Sequence, residues 1–185
     1  MSNDFNVCPM CQSRNIIYKD NKKWFCPDCG FDLYNNVAAA VGLIIVDIDG
    51  SIIFEVRAKE PRKGFLAVPG GFCDQDESAE EAALRECWEE TGITPASVQY
   101  LTSSPNTYEY KGITYKTCDL FFIAEFDPSS LPKGKKIIDC MKNQESEVVE
   151  FKGIKINSLE DIENFPAAFP SLINTLKVWY KRNCK

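Results

Sequence analysis

The chain has 185 residues, 44% of them hydrophobic, with 27 acidic against 21 basic side chains, a formal net charge of −6 and no histidine. That length suits one ordinary domain plus a small appendage, and the acidic balance disfavours nucleic acid as a partner, although local cations or a metal can still meet a substrate's phosphates. The absence of histidine excludes Ser-His-Asp and Cys-His catalysis, leaving Glu, Asp, Lys or Tyr for proton transfer, with Glu foremost.

The first element is a pair of C-x-x-C knuckles, Cys8-Pro9-Met10-Cys11 and Cys26-Pro27-Asp28-Cys29, with fourteen residues between them. Four thiolates at that spacing can close a tetrahedral zinc site with no open position, so the zinc is expected to be structural; redox dithiols or an iron–sulfur site are the alternatives. A segment this short could hardly fold on hydrophobic burial alone. Ile16-Ile17-Tyr18 and Lys23-Trp24-Phe25 flank Asp20-Asn21 as a short hairpin that carries the second cysteine pair. Residues 1–36 are charge-balanced, Arg14, Lys19, Lys22 and Lys23 against Asp4, Asp20, Asp28 and Asp32, which speaks against a nucleic-acid-reading ribbon. The other cysteines, Cys73, Cys87, Cys118, Cys140 and Cys184, are an odd, scattered set and are expected to be reduced thiols. The opening MSNDFNVCPMC has neither a basic n-region nor an apolar run, and no stretch nears the roughly 20 apolar residues of a membrane span, so a cytoplasmic location is expected.

Ala38 to Asp47 reads as a buried strand, Asp49-Gly50 as a turn, and Ser51 to Arg57 as the return strand. The charged Lys59 to Lys63 is a loop, and Phe65 to Val68 a short strand entering Pro69-Gly70-Gly71. Ser78-Ala79-Glu80-Glu81 is a capping box, so a helix begins at Ser78, runs through Thr91 and stops at Gly92. At 100° per residue Arg85, Glu86, Glu89 and Glu90 share one arc, while Leu84, Cys87 and Trp88 are expected to face a core. Like charges on adjacent turns repel, so the arc needs a cation beyond Arg85, and hard oxygen ligands suit Mg²⁺ or Mn²⁺.

Beyond the helix, Val98 to Thr102 is a strand, Ser103 to Asn106 a loop, and Tyr108 to Tyr110 and Ile113 to Thr117 two strands turning at Lys111-Gly112. Leu120 to Phe126 is a strand, Asp127 to Glu145 a mobile surface excursion, and Glu147 to Ile156 a further strand. A short helix at Leu159 to Ile162 precedes a helical tail in which Leu172, Leu176 and Trp179 recur as core positions. No internal repeat is visible.

The fixed letters of the central stretch, Gly71, Glu77, Arg85, Glu86, Glu89, Glu90 and Gly92, reproduce Gly-x5-Glu-x7-Arg-Glu-U-x-Glu-Glu-x-Gly-U with U apolar, and so resemble the Nudix box of the Nudix hydrolases. The bland alternative is an exposed Glu-rich helix, but seven such letters coincide by chance on the order of once in 10⁸ placements. The one departure is Cys87 at an aliphatic position, small and apolar enough to pack. The resemblance implies a mixed-sheet α/β/α sandwich over residues 37–185, preceded by a zinc ribbon over 1–36. It implies a hydrolase that cleaves the diphosphate of a nucleoside diphosphate linked to another moiety, by water attack on phosphorus.

Carried over residue by residue, the resemblance makes Glu86, Glu89, Glu90 and the Gly70 carbonyl ligands for Mg²⁺ or Mn²⁺, Arg85 the residue that orients the glutamates, and Glu77 structural, while the knuckle spacing makes Cys8, Cys11, Cys26 and Cys29 the ligands of zinc. The general base is either a box glutamate or Glu147, which precedes Val148-Val149-Glu150-Phe151 much as a downstream glutamate does in the family; a solvated carboxylate is the plain alternative. A ribbon ahead of this domain is similar to the arrangement of the NADH pyrophosphatases, but of their Ser-Gln-Pro-Trp-Pro-Phe-Pro motif Ser103 to Glu109 keeps only the Ser and the Pro. Dinucleotides, ADP-ribose, other nucleoside diphosphate sugars and nucleoside triphosphates therefore all stay open as substrates. The expected partner is a small-molecule nucleotide, without a membrane, and a homodimer is admitted. The competing reading is an inactive binding module whose ribbon contacts a protein or nucleic acid.

Overall fold

The computed structural model describes residues 5–127, 129 and 131–183. Asp4 and Cys184, used in the sequence reading, lie outside them. The N-terminal unit is a three-stranded antiparallel sheet of β1 (Ile17–Lys19), β2 (Lys23–Phe25) and β3 (Asp32–Tyr34). The expected hairpin is there, and β3, which the sequence did not announce, pairs Leu33 with Trp24. The packing centre of the unit is Trp24, against which Phe5 and Tyr18 place their rings 4.9 and 5.1 Å away.

The larger unit is built on a six-stranded mixed sheet, β6–β5–β4–β8–β7, with β9 running along β5. Its strands are β4 (Ala38–Val46), β5 (Ile52–Arg57), β6 (Leu66–Ala67), β7 (Ser97–Tyr110), β8 (Ile113–Glu125) and β9 (Val148–Ile154). Only the β4–β8 pair is parallel. Both faces are covered, and the near-continuous apolar run of β4 follows from that. Val41, Leu43 and Ile45 pack with Ala82, Ala83 and Cys87 of α1 (Ala79–Thr91). On the opposite face Ile44, Phe54 and Phe121 meet Leu172, Leu176 and Trp179 of α3 (Pro170–Asn183), with Ile162 of α2 (Leu159–Glu163). This is the expected α/β/α sandwich with a mixed sheet. Among the described residues no helix is long and apolar enough to cross a membrane.

Three local expectations need correction. Ser103 to Asn106 is not a loop: β7 runs unbroken to Tyr110, with an irregularity between Tyr100 and Thr102. Pro105 is tolerated because β7 is the edge strand, where a missing N–H costs no ladder bond. The segment before Glu147 is tied down rather than loose. The Ile137 and Ile138 N–H groups bond the Asp47 carboxylate, and the Lys142 and Gln144 N–H groups bond the Thr91 and Glu90 carbonyls at the end of α1. Lastly, Trp88 is 61% exposed, because the packed stripe of α1 is centred on Ala83 and Cys87 and continues to Glu90 and Thr91.

Candidate active site

Helix α1 has the ends its sequence specifies. The Ser78 hydroxyl accepts from the Glu81 N–H, the Glu81 carboxylate accepts from the Ser78 N–H, and Gly92 takes the left-handed conformation at φ 70°. The chain reaches this helix through Val68 to Cys73, which runs beside β4: the Val41 and Leu43 N–H groups bond the Gly71 and Pro69 carbonyls. The approach is so close that a Cβ on Gly70 would collide with the Val41 carbonyl oxygen, and one on Gly71 with the Glu86 carboxylate.

That contact explains how the loop and the helix register. The Gly70 N–H donates to Glu90 Oε2 at 2.7 Å, fixing a carboxylate that is only 4% exposed. Arg85 spreads over three acids, with Nε to Glu77 Oε1 at 2.8 Å and Nη1 to Glu86 Oε1 at 2.8 Å and Glu89 Oε2 at 3.3 Å, and it also donates to the Phe72 carbonyl. Glu77 is thereby held below the usual carboxylate range, by the Arg85 hydrogen bonds and then by the Asp74 N–H.

The remaining carboxylates have too little positive charge around them. Burial pushes Glu90 well up, the nearby Glu55 charge adds to this, and the Gly70 N–H opposes it. Burial likewise raises Glu86 against the pull of Arg85. Glu55, on β5, was not singled out from the sequence. It is 2% exposed, its Oε2 has no hydrogen-bond partner, and burial pushes its carboxyl up to about 7, opposed by Arg57 and reinforced by Glu147 and Glu86. A charge in an apolar-looking run such as IIFEVR was the available signal.

This donor set fits a hard divalent cation: carboxylate oxygens, with the backbone of Gly70 beside them, and an excess of buried negative charge that a cation would offset. The set is open rather than closed. Among the described residues the cysteines alone form a group of three or more whose donor atoms all lie within 4.8 Å of one another. The glutamates are drawn apart, two towards Arg85 and one towards Gly70, as suits an ion that keeps waters and shares its coordination with substrate.

Glu86, Glu89, Glu90, Gly70 and Glu147 line one cavity of about 410 Å³, whereas Glu145 is exposed and lies outside it. Glu147 stands at the start of β9, paired with Lys59, and its carbonyl accepts from the Ala58 N–H. Arg57 and Lys59 bring cations to the same cavity, and Phe72, Tyr108, Asn106, Thr117, Asp119 and Phe169 also line it. None of these six residues was assigned a role from the sequence. In the N-terminal unit Cys8 and Cys29 place their sulfurs 3.7 Å apart, as do Cys11 and Cys26. Bonds of about 2.3 Å in a tetrahedron require about 3.8 Å between sulfurs, so the four thiols fit a zinc ion.

A mixed-sheet sandwich whose capped helix presents Glu86, Glu89 and Glu90 to one cleft defines the class of the chain by its fold and its helix signature. The NUDIX domain model matches residues 37–173, and the chain belongs to that family. It is 42% identical over 97 residues to an ADP-ribose pyrophosphatase of Methanocaldococcus jannaschii, covering 51% of this chain and 53% of that one. It is 29% identical over 146 residues to the NAD-capped RNA hydrolase NudC of Vibrio atlanticus, covering 71% and 53%. The chain thus spans about half the length of these curated relatives. In fold it resembles a NUDIX hydrolase from Nitrosomonas europaea, with a TM-score of 0.59, 18% identity and coverage of 98% and 94%.

Proposed function

We propose that this chain is a divalent-metal-dependent hydrolase that cleaves the diphosphate linkage of a nucleoside diphosphate joined to another moiety, such as NADH or NAD, ADP-ribose or a related nucleotide. The observation that carries this reading is the convergence of Gly70, Glu86, Glu89, Glu90 and Glu147 with Arg57 and Lys59 on one cavity. The names of the relatives, an ADP-ribose pyrophosphatase and an NAD-capped RNA hydrolase, favour adenosine diphosphate substrates.

Glu86, Glu89 and Glu90, with the Gly70 carbonyl, would hold Mg²⁺ or Mn²⁺. When bound, such an ion neutralises charge on the phosphoryl oxygens and makes a water a better nucleophile. Arg85 sets the orientation of Glu86 and Glu89 through its ion pairs, and Arg57 and Lys59 meet the remaining phosphate charge. Glu147 accepts the proton of the attacking water: it lines the cavity without bonding to Arg85 or Gly70, so its charge is free of the ligand set. The same reading divides the chain into a zinc ribbon, residues 1–36, and a hydrolase domain, residues 37–185.

The test is a panel of ADP-ribose, NADH, NAD and nucleoside triphosphates with Mg²⁺ or Mn²⁺, reading released nucleoside monophosphate or phosphate. Turnover of at least one diphosphate-linked nucleotide is expected, lost on chelation and reduced by orders of magnitude in Glu89→Gln with folding unharmed. A full panel without turnover, or a Glu89→Gln variant at near-normal rate in saturating Mg²⁺, overturns the reading in favour of a binding module.

A further inference from the structure

Part of the cavity lining has chemistry that phosphate hydrolysis does not use. Along β8, Thr117, Asp119 and Phe121 alternate onto one face, and their neighbours in the parallel register with β4 are Ala38, Ala40 and Gly42. Small residues there leave room above the sheet; at Gly42 a Cβ would strike the Phe121 ring at 2.6 Å. On the other side β7 sets Asn106 directly opposite Thr117.

Asp119 is 8% exposed and its partners are two neutral donors. Oδ1 accepts from the Thr117 hydroxyl at 2.5 Å and Oδ2 from Asn106 Nδ2 at 2.9 Å. The Asn106 N–H to Oδ2 bond decides which way the amide turns: nitrogen inward to Asp119, leaving one N–H and the carbonyl oxygen for a ligand. Aromatic rings line the same cavity as this amide. Phe72 is 38% exposed, edge-on to Tyr108 at 5.5 Å, and Tyr108 lies 5.7 Å from Phe169, over which the Arg57 guanidinium sits at 5.3 Å. Partly open rings beside one oriented donor–acceptor pair are what a flat heterocycle with a complementary edge needs.

We propose that Phe72, Tyr108, Phe169 and Asn106 form a nucleobase subsite selective for adenine over guanine, with Asp119 as the positioning residue that fixes the Asn106 amide. This rests on the diphosphate-hydrolase reading and names the base it prefers. A side-chain amide offers one donor and one acceptor, matching adenine's exocyclic amino group and adjacent ring nitrogen. Placed by the same ribose and diphosphate, guanine presents the reverse pattern, O6 where adenine has its amino group and N1–H where adenine has an acceptor, and the fixed amide cannot turn to meet it. The carboxylate that would suit guanine's N1–H and N2–H is Asp119, whose two oxygens are already engaged.

The matched substrates are ADP-glucose and GDP-glucose, which differ only in the base, compared by kcat/KM with Mg²⁺. Wild-type protein is expected to favour ADP-glucose by ~10–100-fold, the range of one bidentate base contact. Asn106→Leu, of similar volume and without the pair, is expected to bring the ratio within about 3-fold. Asp119→Asn, which can donate as well as accept, frees the Asn106 amide to turn and is expected to lower the ratio as well. Binding of AMP and GMP, read by calorimetry without turnover, should follow the same order in each protein. If neither sugar nucleotide is cleaved, the hydrolase reading fails, while tighter AMP binding that is lost in Asn106→Leu upholds the subsite. Equal wild-type affinity for AMP and GMP, or an undiminished ratio in Asn106→Leu, overturns the inference.

Discussion

At the scale of the residue, the acids of the site divide by what already holds them. Glu90 is fixed by a backbone N–H, Glu86 and Glu89 share Arg85, and Glu147 is paired, among the described residues, with Lys59 at the cavity wall. A carboxylate that binds metal has its charge stabilised by the cation and is a weak proton acceptor, so the base should be Glu147. Glu147→Gln is expected to lower kcat by ~10²–10⁴, the usual contribution of a positioned base, with metal affinity nearly unchanged, whereas the exposed Glu145→Gln should do much less. Wild-type turnover in Glu147→Gln would place the base within the box, at Glu86. The sequence carried the box residues because their spacing is local to one helix. Glu55 and Asp119 escaped notice because their burial comes from strand registers far away in sequence, Glu55 opposite Phe151 and Ala67, Asp119 beside Ala40.

At the scale of the element, legibility follows the same rule. Helix α1 was readable end to end, since a capping box and a left-handed glycine act within a few residues. β7 was misread as broken because a proline is a strong local stop, and only its edge position in the finished sheet cancels the penalty. The exposed Trp88 shows the limit of an angular argument: the arc was sound, but where the core lies around it depends on β4. For the ribbon, four thiols at zinc spacing over three short strands leave metal binding as the folding energy, ~10–16 kcal/mol for such modules. Cys26→Ser is therefore expected to release zinc and unfold residues up to about Asn36, while the larger unit keeps its own two cores. Metal analysis of the wild-type protein should give one zinc per chain, and its absence would refute the assignment.

At the scale of the whole molecule, the site costs stability that a bound cation would return. Glu55 has a folded value raised from 4.5 to about 7, so between those values the folded chain holds a proton that the unfolded chain has lost. Stability of the metal-free protein must then fall as pH rises through that window, by on the order of 3 kcal/mol from this group, and Glu90, also raised by burial, acts in the same direction. Asp49 and Glu77, both held low, act oppositely but at more acidic pH, and the Cys8 thiol, lowered to about 7, acts oppositely above neutrality in the N-terminal unit, which leaves the window below pH 7 in the larger unit to the site acids. A divalent cation binds the ionised carboxylates and not their protonated forms, so its stabilising effect should be larger where the penalty is complete. The expected outcome is a Tm for chelated protein that is higher at pH 5.5 than at pH 8, by on the order of 5 °C or more, and a Mg²⁺-induced rise in Tm that is greater at pH 8. Glu55→Gln removes the buried charge and should flatten the pH dependence without chelation or metal. A chelated wild-type Tm that climbs from pH 5.5 to 8, or a Glu55→Gln variant with the wild-type slope, would mean that the buried acids are not the origin of the effect.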